Sequence, residues 1–301
     1  MRRLIARLRF RHLHLLLELH RGGSLRAAAS VLNLTQPALS KALAEIEGTF
    51  GFALFTRSAR GMAPTPRGEI AIRGASLLLA ELAHVGVEAS AEPATTLLRI
   101  GAPPFVALAY LPEVLSKLLS GGRIRVLLME DRVPLLVQSL LNGELDALVT
   151  SLPAQMLEAA EQRLHYEKLF EADFAVIAPP EHPLGRACIV DWQRLSRERW
   201  IMPMGTSMVR HLIDDVFRRE GLIAPSPVIE STNPVTNLHL VASGLGISAV
   251  PGATLRIAGA AGLVQRLRAE PPIPSAPVAL IHRSKPLNPR VTLLRSALGL
   301  D

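Results

Sequence analysis

Two short breaks cut the first fifty residues into three helix-length pieces, and no other feature limits the fold as much. Phe10, Leu13, Leu16 and Leu17 recur at helical intervals, so residues 10–21 predict an amphipathic helix. Gly22-Gly23 stops it, because glycine accepts the left-handed conformation past a helix end. Ser24 is placed to cap a second, short helix over 25–32, where Ala27, Ala28 and Ala29 permit close packing. Asn33-Leu34 is a tight connection. Thr35 caps a third helix that tolerates Pro37 in its first turn and runs to about Glu47, with Gly48 as its stop. Leu39, Leu43 and Ile46 are its buried stripe, which leaves Gln36, Ser40 and Lys41 near an exposed N-terminal side. A support helix followed by two helices on a three-residue turn is the helix-turn-helix plan. A generic three-helix core would show the same spacing.

Charge separates these readings. Residues 1–73 hold 12 Lys+Arg against 4 Asp+Glu, and residues 74–301 hold 21 against 22. The whole formal excess of +7 therefore sits in the first quarter of the chain. A basic head on a near-neutral body suits a nucleic-acid or anionic-membrane module, although a solvated basic face has the same charge. An exposed helix start can enter the major groove, where Gln bonds adenine and Ser is less selective. Charge and the polar first turn together favour DNA.

The next segments extend the pattern. Residues 54–57 predict a strand, Arg60-Gly61 a turn and residues 62–65 a return strand, making a β-wing with arginines at its tip. Thr65-Pro66 starts a long helix to about Ala89, with Ile70, Gly74, Leu78, Leu82 and Val85 on one side as a dimerisation seam.

Ser24 to Ala29 (SLRAAA), Leu34 to Ser40 (LTQPALS), Leu54 to Arg57 (LFTR) and Pro64 to Gly68 (PTPRG) closely resemble the winged helix-turn-helix of LysR-type transcriptional regulators. The resemblance is strong over about residues 10–90. It implies that the long helix pairs two subunits and that the C-terminal part binds an inducer. It also implies that Gln36, Pro37 and Ser40 touch bases or nearby backbone, and that Thr35, Lys41 and Arg57 touch phosphates. Ser24, Arg26 and Arg60 complete the expected DNA-contacting set. Pro64 stands where the family usually shows leucine, a local departure in the wing.

Beyond a hinge at Pro93, alternating strands and helices predict an α/β body. Strands are expected at 97–100, 123–129 and 147–151, with helices at 106–119 and 133–141. That spacing predicts a parallel sheet with right-handed crossovers. A second set follows, with strands at 174–178, 200–203, 228–230 and 247–250 and helices at 207–220 and 235–242. A strand at 277–282 returns to the first set. The expected fold is α/β with an N-terminal winged helix-turn-helix and a C-terminal two-lobed body resembling periplasmic binding proteins. The expected division is 1–66 for the DNA-binding domain, 67–92 for the linker helix and 93–301 for the effector domain. Its lobes would be 93–166 with 267–301, and 167–266.

Ligands in such sheets sit outside the carboxyl ends of strands, near helix starts. Those places hold Pro103, Pro104 and Phe105, then Thr150-Ser151, Gly205-Thr206-Ser207 and Ser231-Thr232-Asn233. Thr206-Ser207 is the leading candidate, and an ordinary helix cap accounts for the same two residues. Two prolines remove two backbone donors at 103–105, so an apolar or aromatic part of a ligand fits that corner better than an anion.

Enzyme signatures fail on context. Gly244 to Ala249 (GLGISA) matches the dinucleotide fingerprint, but it follows a helix and precedes a strand, the reverse of what phosphate binding requires. Nine histidines include no H-E-x-x-H pair, so no metal site is expected. His12 and His14 fall on different helix faces. Asp214-Asp215 and Glu144 with Asp146 read as solvated charge. Cys188 is the only cysteine, reads as a buried or idle thiol, and cannot form an internal disulfide, which fits a reducing cytoplasm. Charged residues interrupt the apolar stretch near the start, so no signal peptide is expected, and no long apolar run predicts a membrane span. High apolar content without low-complexity tracts excludes collagen-like and disordered classes.

The sequence therefore predicts a cytoplasmic, ligand-responsive, DNA-binding transcriptional regulator without enzymatic activity or cofactor. Its expected partners are double-stranded DNA, a small-molecule effector and further copies of itself as a homodimer or homotetramer, with RNA polymerase as a further candidate and no membrane. The rival is a two-lobed solute-binding protein with no DNA-binding role.

Overall fold

The computed structural model describes residues 2–58, 61–90, 95–122, 124–151, 163–205, 207–256, 262–284 and 288–300. Contacts group the chain into two units, one of residues 1–97 with 138–145 and one of 98–137 with 146–301.

The first unit begins with helices α1 (Arg2–Arg7), α2 (Phe10–Gly22), α3 (Leu25–Val31) and α4 (Gln36–Phe50). The caps form as predicted. Ser24 accepts the Ala27 amide at 3.2 Å, and Thr35 accepts the Ala38 amide at 3.3 Å. Two details differ. Leu13 and Leu16 are buried as predicted, together with His12, Leu15, Glu18 and Leu19, whereas Phe10 is exposed, because α3, α4 and the following long helix approach from the other side. Helix α4 runs past Gly48 and ends at Gly51, the residue with positive φ. Glycine inside a helix costs only about 1 kcal/mol, less than the packing of the surrounding turn contributes.

Strands β1 (Phe55–Ser58) and β2 (Gly61–Pro64) pair antiparallel as the wing. Arg60 lies outside the described residues. Leu54, Phe55 and Ile72 join the core made by α2, α3 and α4. Helix α5 (Pro66–Ala89) is capped by Thr65, whose hydroxyl accepts the Gly68 amide at 2.9 Å and donates to the Ala53 carbonyl at 3.0 Å. Gly68 is required there, since a Cβ would run into the Leu54 carbonyl. In this unit Ser76 Oγ also donates to the Asn142 carbonyl at 3.0 Å.

Helix α5 has 24 residues and, with a mean hydropathy of 1.5 over its most apolar stretch, is long and apolar enough by length and composition alone to cross a membrane; a single such helix does not make a membrane protein. Its buried residues are Gly68, Ile72, Ala75 and His84. Ile70, Leu78, Leu82 and Val85, the predicted seam, are exposed in the single chain.

The second unit carries two five-stranded sheets. The first contains β3 (Thr96–Ala102), β4 (Ile124–Glu130), β5 (Ala147–Thr150), β6 (Leu164–Ala172) and β14 (Ala276–Arg283), in the order β4-β3-β5-β14-β6. The second contains β7 (Phe174–Ala178), β9 (Trp200–Pro203), β10 (Ile229–Ser231), β11 (Ile247–Pro251) and β12 (Gln265–Leu267), in the order β10-β9-β11-β7-β12. Short strands β8 (Val190–Asp191) and β13 (Ala269–Glu270) pair separately.

The sheets are mixed, which corrects the parallel prediction. β3 and β5 are parallel, but β14 runs antiparallel to β5 and β6, and β7 antiparallel to β11 and β12. Strand β6 was not predicted, because its apolar and polar residues do not alternate strictly. It crosses residue 167, so the first sheet keeps the chain as far as Ala172, beyond the predicted lobe division. The helix expected at 106–119 is two helices, α6 (Pro104–Ala109) and α7 (Leu111–Leu119), because Pro112 cannot bond back to the preceding turn. Helices α8 (Val133–Leu141), α10 (Met208–Arg219) and α11 (Pro234–Ala242) lie close to prediction, and α9 (Trp192–Leu195) is a single turn between β8 and β9. Helix α12 (Pro289–Leu298) closes the chain.

Trp192, Trp200 and Phe217 form a fully buried aromatic cluster, and each indole N–H donates to a backbone carbonyl, of Pro271 and Leu195 respectively. Asp146, read as solvated, is buried. Arg99 donates to it from its amide at 2.9 Å and its guanidinium at 3.3 Å, and Asn288 Nδ2 at 2.7 Å. Cys188 is exposed. Gly244 and Gly246 separate helix α11 from strand β11, as the rejection of a dinucleotide site required.

Candidate functional site

The head presents one polar helix face. Leu39, Leu43 and Ile46 anchor α4 in the core, and their 3.6-residue spacing turns Gln36, Pro37, Ser40 and Lys41 outward together. All four are exposed, as are Thr35, Arg26 and Arg57. Ser24 is half-buried as the cap of α3. The α4 start offers unpaired backbone N–H groups and a partial positive charge, both suited to phosphate.

Glu47, which the sequence reading passed over, ties this helix to the wing. Its Oε1 accepts the amides of Leu54 at 2.7 Å and Phe55 at 3.1 Å. A carboxylate three residues before the end of α4 therefore fixes where β1 begins, and with it the position of Arg57. Arg67 lies 5.0 Å from the Phe52 ring centre, over the same connection.

The second unit holds a cleft of about 360 Å³, within the range of small-molecule sites. Segments after the strands of both sheets line it. Pro103, Pro104 and Phe105 follow β3, Glu130 to Pro134 follow β4, and Thr150 and Ser151 end β5. From the second sheet come Pro203, Met204, Ser207 and Met208 after β9, then Ser231, Thr232, Pro234 and Asn237 after β10. The starts of α6, α8, α10 and α11 all border it.

Seven of the nine predicted effector residues thus meet at one cavity: Pro103, Phe105, Thr150, Ser151, Ser207, Ser231 and Thr232. Gly205 is exposed and does not line it, and Thr206 lies outside the described residues. The missed residues include Asn237, Met204, Met208 and the segment 130–134. Asn237 sits one turn into α11, past the strand-end positions that sequence reasoning searches.

The chemistry of the walls is uneven. Prolines, Phe105, Val133, Met204 and Met208 give an apolar surface. Two buried polar atoms on the lining, Ser151 Oγ and Asn237 Oδ1, have no hydrogen-bond partner among the described residues. Asn233 caps α11 through its side chain, accepting from Val235 at 2.9 Å, whereas Ser207 makes no side-chain cap bond to α10. Its hydroxyl and the first amides of α10 remain available.

A DNA-reading head joined to a body with an effector-sized cleft defines a ligand-responsive, DNA-binding transcriptional regulator. Comparisons place it further. The family model described as LysR substrate binding domain matches residues 91–299, and the bacterial regulatory helix-turn-helix protein model of the lysR family matches residues 10–69. The chain belongs to the LysR family. The HTH-type transcriptional regulator MetR of Salmonella typhimurium is 30% identical over 259 residues, which cover 80% of this chain and 74% of that protein. A probable hydrogen peroxide-inducible genes activator of Streptomyces viridosporus is 28% identical over 263 residues, covering 86% and 83%. Among solved structures, a full-length OxyR variant from Pseudomonas aeruginosa matches with a TM-score of 0.65 at 24% identity, covering 97% of this chain and 95% of that one. CbnR, a LysR family transcriptional regulator, matches with a TM-score of 0.60 at 18% identity, covering 97% and 98%. The solute-binding alternative is thereby set aside.

Proposed function

We propose that α4 reads operator DNA and that a small organic effector, bound in the cleft, changes how well it does so. Gln36 and Ser40 contact base edges, with Pro37 against them. Thr35, Lys41, Arg57, Ser24 and Arg26 hold phosphates, and Arg60 joins them on the sequence reading alone. Helix α5 pairs two copies through Ile70, Leu78, Leu82 and Val85, giving a homodimer or a pair of dimers. The domain division is 1–66, 67–92 and 93–301. The protein works in the cytoplasm, without a catalytic step, on double-stranded DNA, and RNA polymerase is a further partner.

The observation that carries the effector reading is the meeting of two unpartnered buried polar atoms, Ser151 Oγ and Asn237 Oδ1, on a largely apolar cleft. Burying such groups without partners costs about 1–3 kcal/mol each, which a polar ligand would recover. The effector carries an acceptor group, such as a carboxylate, toward Ser207 and the start of α10, and an apolar body toward Pro103 and Phe105. Thr206 belongs to this set on the sequence reading. The test is a thermal-shift screen of small carboxylic acids and aromatics, followed by a DNA shift assay with each stabilising compound. A compound that stabilises the protein, loses that effect in Ser207→Ala, and alters DNA binding supports the reading. Stabilising compounds indifferent to Ser207 and Ser151 would overturn the site.

A further inference from the structure

Away from the cleft, the edge of the first sheet carries a second cluster. His165 and Glu167 are two apart on β6 and so share a face of the sheet. The antiparallel register sets His282 of β14 directly opposite His165. The three side chains each offer a ligand atom, and these atoms all lie within 4.8 Å of one another. The two imidazole centres are 5.0 Å apart.

The hydrogen bonds around His282 set its chemistry. Its Nδ1 is 3.0 Å from the Arg283 carbonyl oxygen, which can only accept, so this contact is a hydrogen bond in the tautomer that carries its proton on Nδ1. Its Nε2 faces Glu167 Oε1 at 3.3 Å. In that tautomer of the neutral ring two acceptors meet there, and a cation beside them would bind both. An imidazole that donates one N–H to a carbonyl and turns its other nitrogen to a carboxylate has the outer-shell arrangement of a metal ligand. The 3.3 Å between His282 Nε2 and Glu167 Oε1 also fits. For bonds of about 2.0–2.1 Å, adjacent ligand atoms of a tetrahedral zinc ion stand about 3.4 Å apart.

From this geometry we infer that His165, Glu167 and His282 form a site for a first-row transition metal ion, with Zn2+ as the best fit. Two imidazoles and one carboxylate favour zinc over magnesium or calcium, which prefer oxygen alone. His282 is buried, Glu167 half-buried and His165 exposed, so the fourth coordination position opens to solvent. Arg295 of α12 is the internal competitor. Its Nε donates to Glu167 at 3.0 and 3.1 Å and its other nitrogen at 2.9 Å, which fills part of the carboxylate and places a positive charge beside the site. Metal binding must share Glu167 with that guanidinium. An imidazolium bridging Arg283 and Glu167 would hold the same geometry without a metal, and the experiment separates the two.

Untagged full-length protein, stripped with a chelator, is titrated with Zn2+ by calorimetry and with Co2+ by visible absorption. The expected result is one strong equivalent per chain, with cobalt bands of a low-coordinate nitrogen–oxygen site and a raised melting temperature. His165→Ala and Glu167→Gln each weaken it about tenfold or more. His165 is exposed, so its replacement keeps the fold, which the metal-free melting temperature checks. Arg295→Gln strengthens binding, an effect that scattered surface histidines would not show. Absence of a strong equivalent, or one unchanged in both His165→Ala and Glu167→Gln, overturns the site and leaves the imidazolium bridge.

Discussion

Ser151 and Asn237 border different sheets, and each turns a buried polar atom, without a partner among the described residues, onto the same cleft. Ser151 follows β5, which pairs with β14 in the first sheet, and Asn237 lies on α11 beside the second sheet. A stable protein satisfies nearly all its buried polar atoms, so two exceptions on one cavity mark where a ligand's polar groups are expected.

Ser151→Ala gives the sharpest test of that relationship. The substitution removes a hydroxyl that makes no bond, so the melting temperature of the free protein should hold or rise. Effector affinity should fall by about 0.5–1.5 kcal/mol, the net worth of one hydrogen bond. Calorimetry and thermal unfolding with and without effector read both quantities. Affinity unchanged by the substitution would remove Ser151 from the site.

The head separates two kinds of DNA contact. Gln36→Ala should relax base preference by about 1–3 kcal/mol, seen as a smaller ratio of operator to random-DNA affinity. Arg57→Ala should weaken both DNAs alike and lower the slope of log affinity against log salt by about one. If Gln36→Ala leaves the ratio untouched, α4 does not lie in the groove as proposed.

Assembly should depend on α5. Leu78 is exposed in the single chain although it belongs to an apolar stripe, so Leu78→Asp should leave the monomer folded while placing a charge in the proposed seam. Light scattering should then show a smaller species, and operator affinity should drop because half-sites are no longer read together. An unchanged oligomer would take α5 out of the interface.

Acid should loosen the head through His12. This ring is buried in α2 and accepts the Arg9 amide on Nδ1 at 3.3 Å, a bond that needs the neutral form. Burial pushes its pKa below 6.5; Glu45 pulls it up, and Arg11 and Arg9 push it further down. The unfolded chain therefore takes up the proton first. Stability is fully present above 6.5 and is lost as pH falls toward the lower folded value. Denaturant midpoints measured from neutral pH downward should fall in the wild type and stay flatter in His12→Gln. Parallel curves for the two proteins would assign the loss to other groups.

The chain's own sequence determined the head almost completely. Ser24, Thr35, Gly23 and Thr65 act on neighbours within a few residues, and caps, stops and helical stripes are local physics that a linear reading can see. The order of strands and helices in the body was legible for the same reason, as were the strand ends where Thr150, Ser207 and Ser231 stand. What the tertiary structure alone decided was which distant residues meet. Strand β6 is defined by its pairing with β14, more than a hundred positions later, and no local pattern announces it. Asn237 faces the cleft because of the rotation of α11, and Asp146 is buried because Arg99 and Asn288 fold back onto it. His165 and His282 sit opposite each other only through sheet register, which turns two unremarkable histidines into one cluster. Contacts of this range depend on how complete elements pack, and the cost of bringing such positions together is met by the whole core, so no short stretch of sequence encodes them.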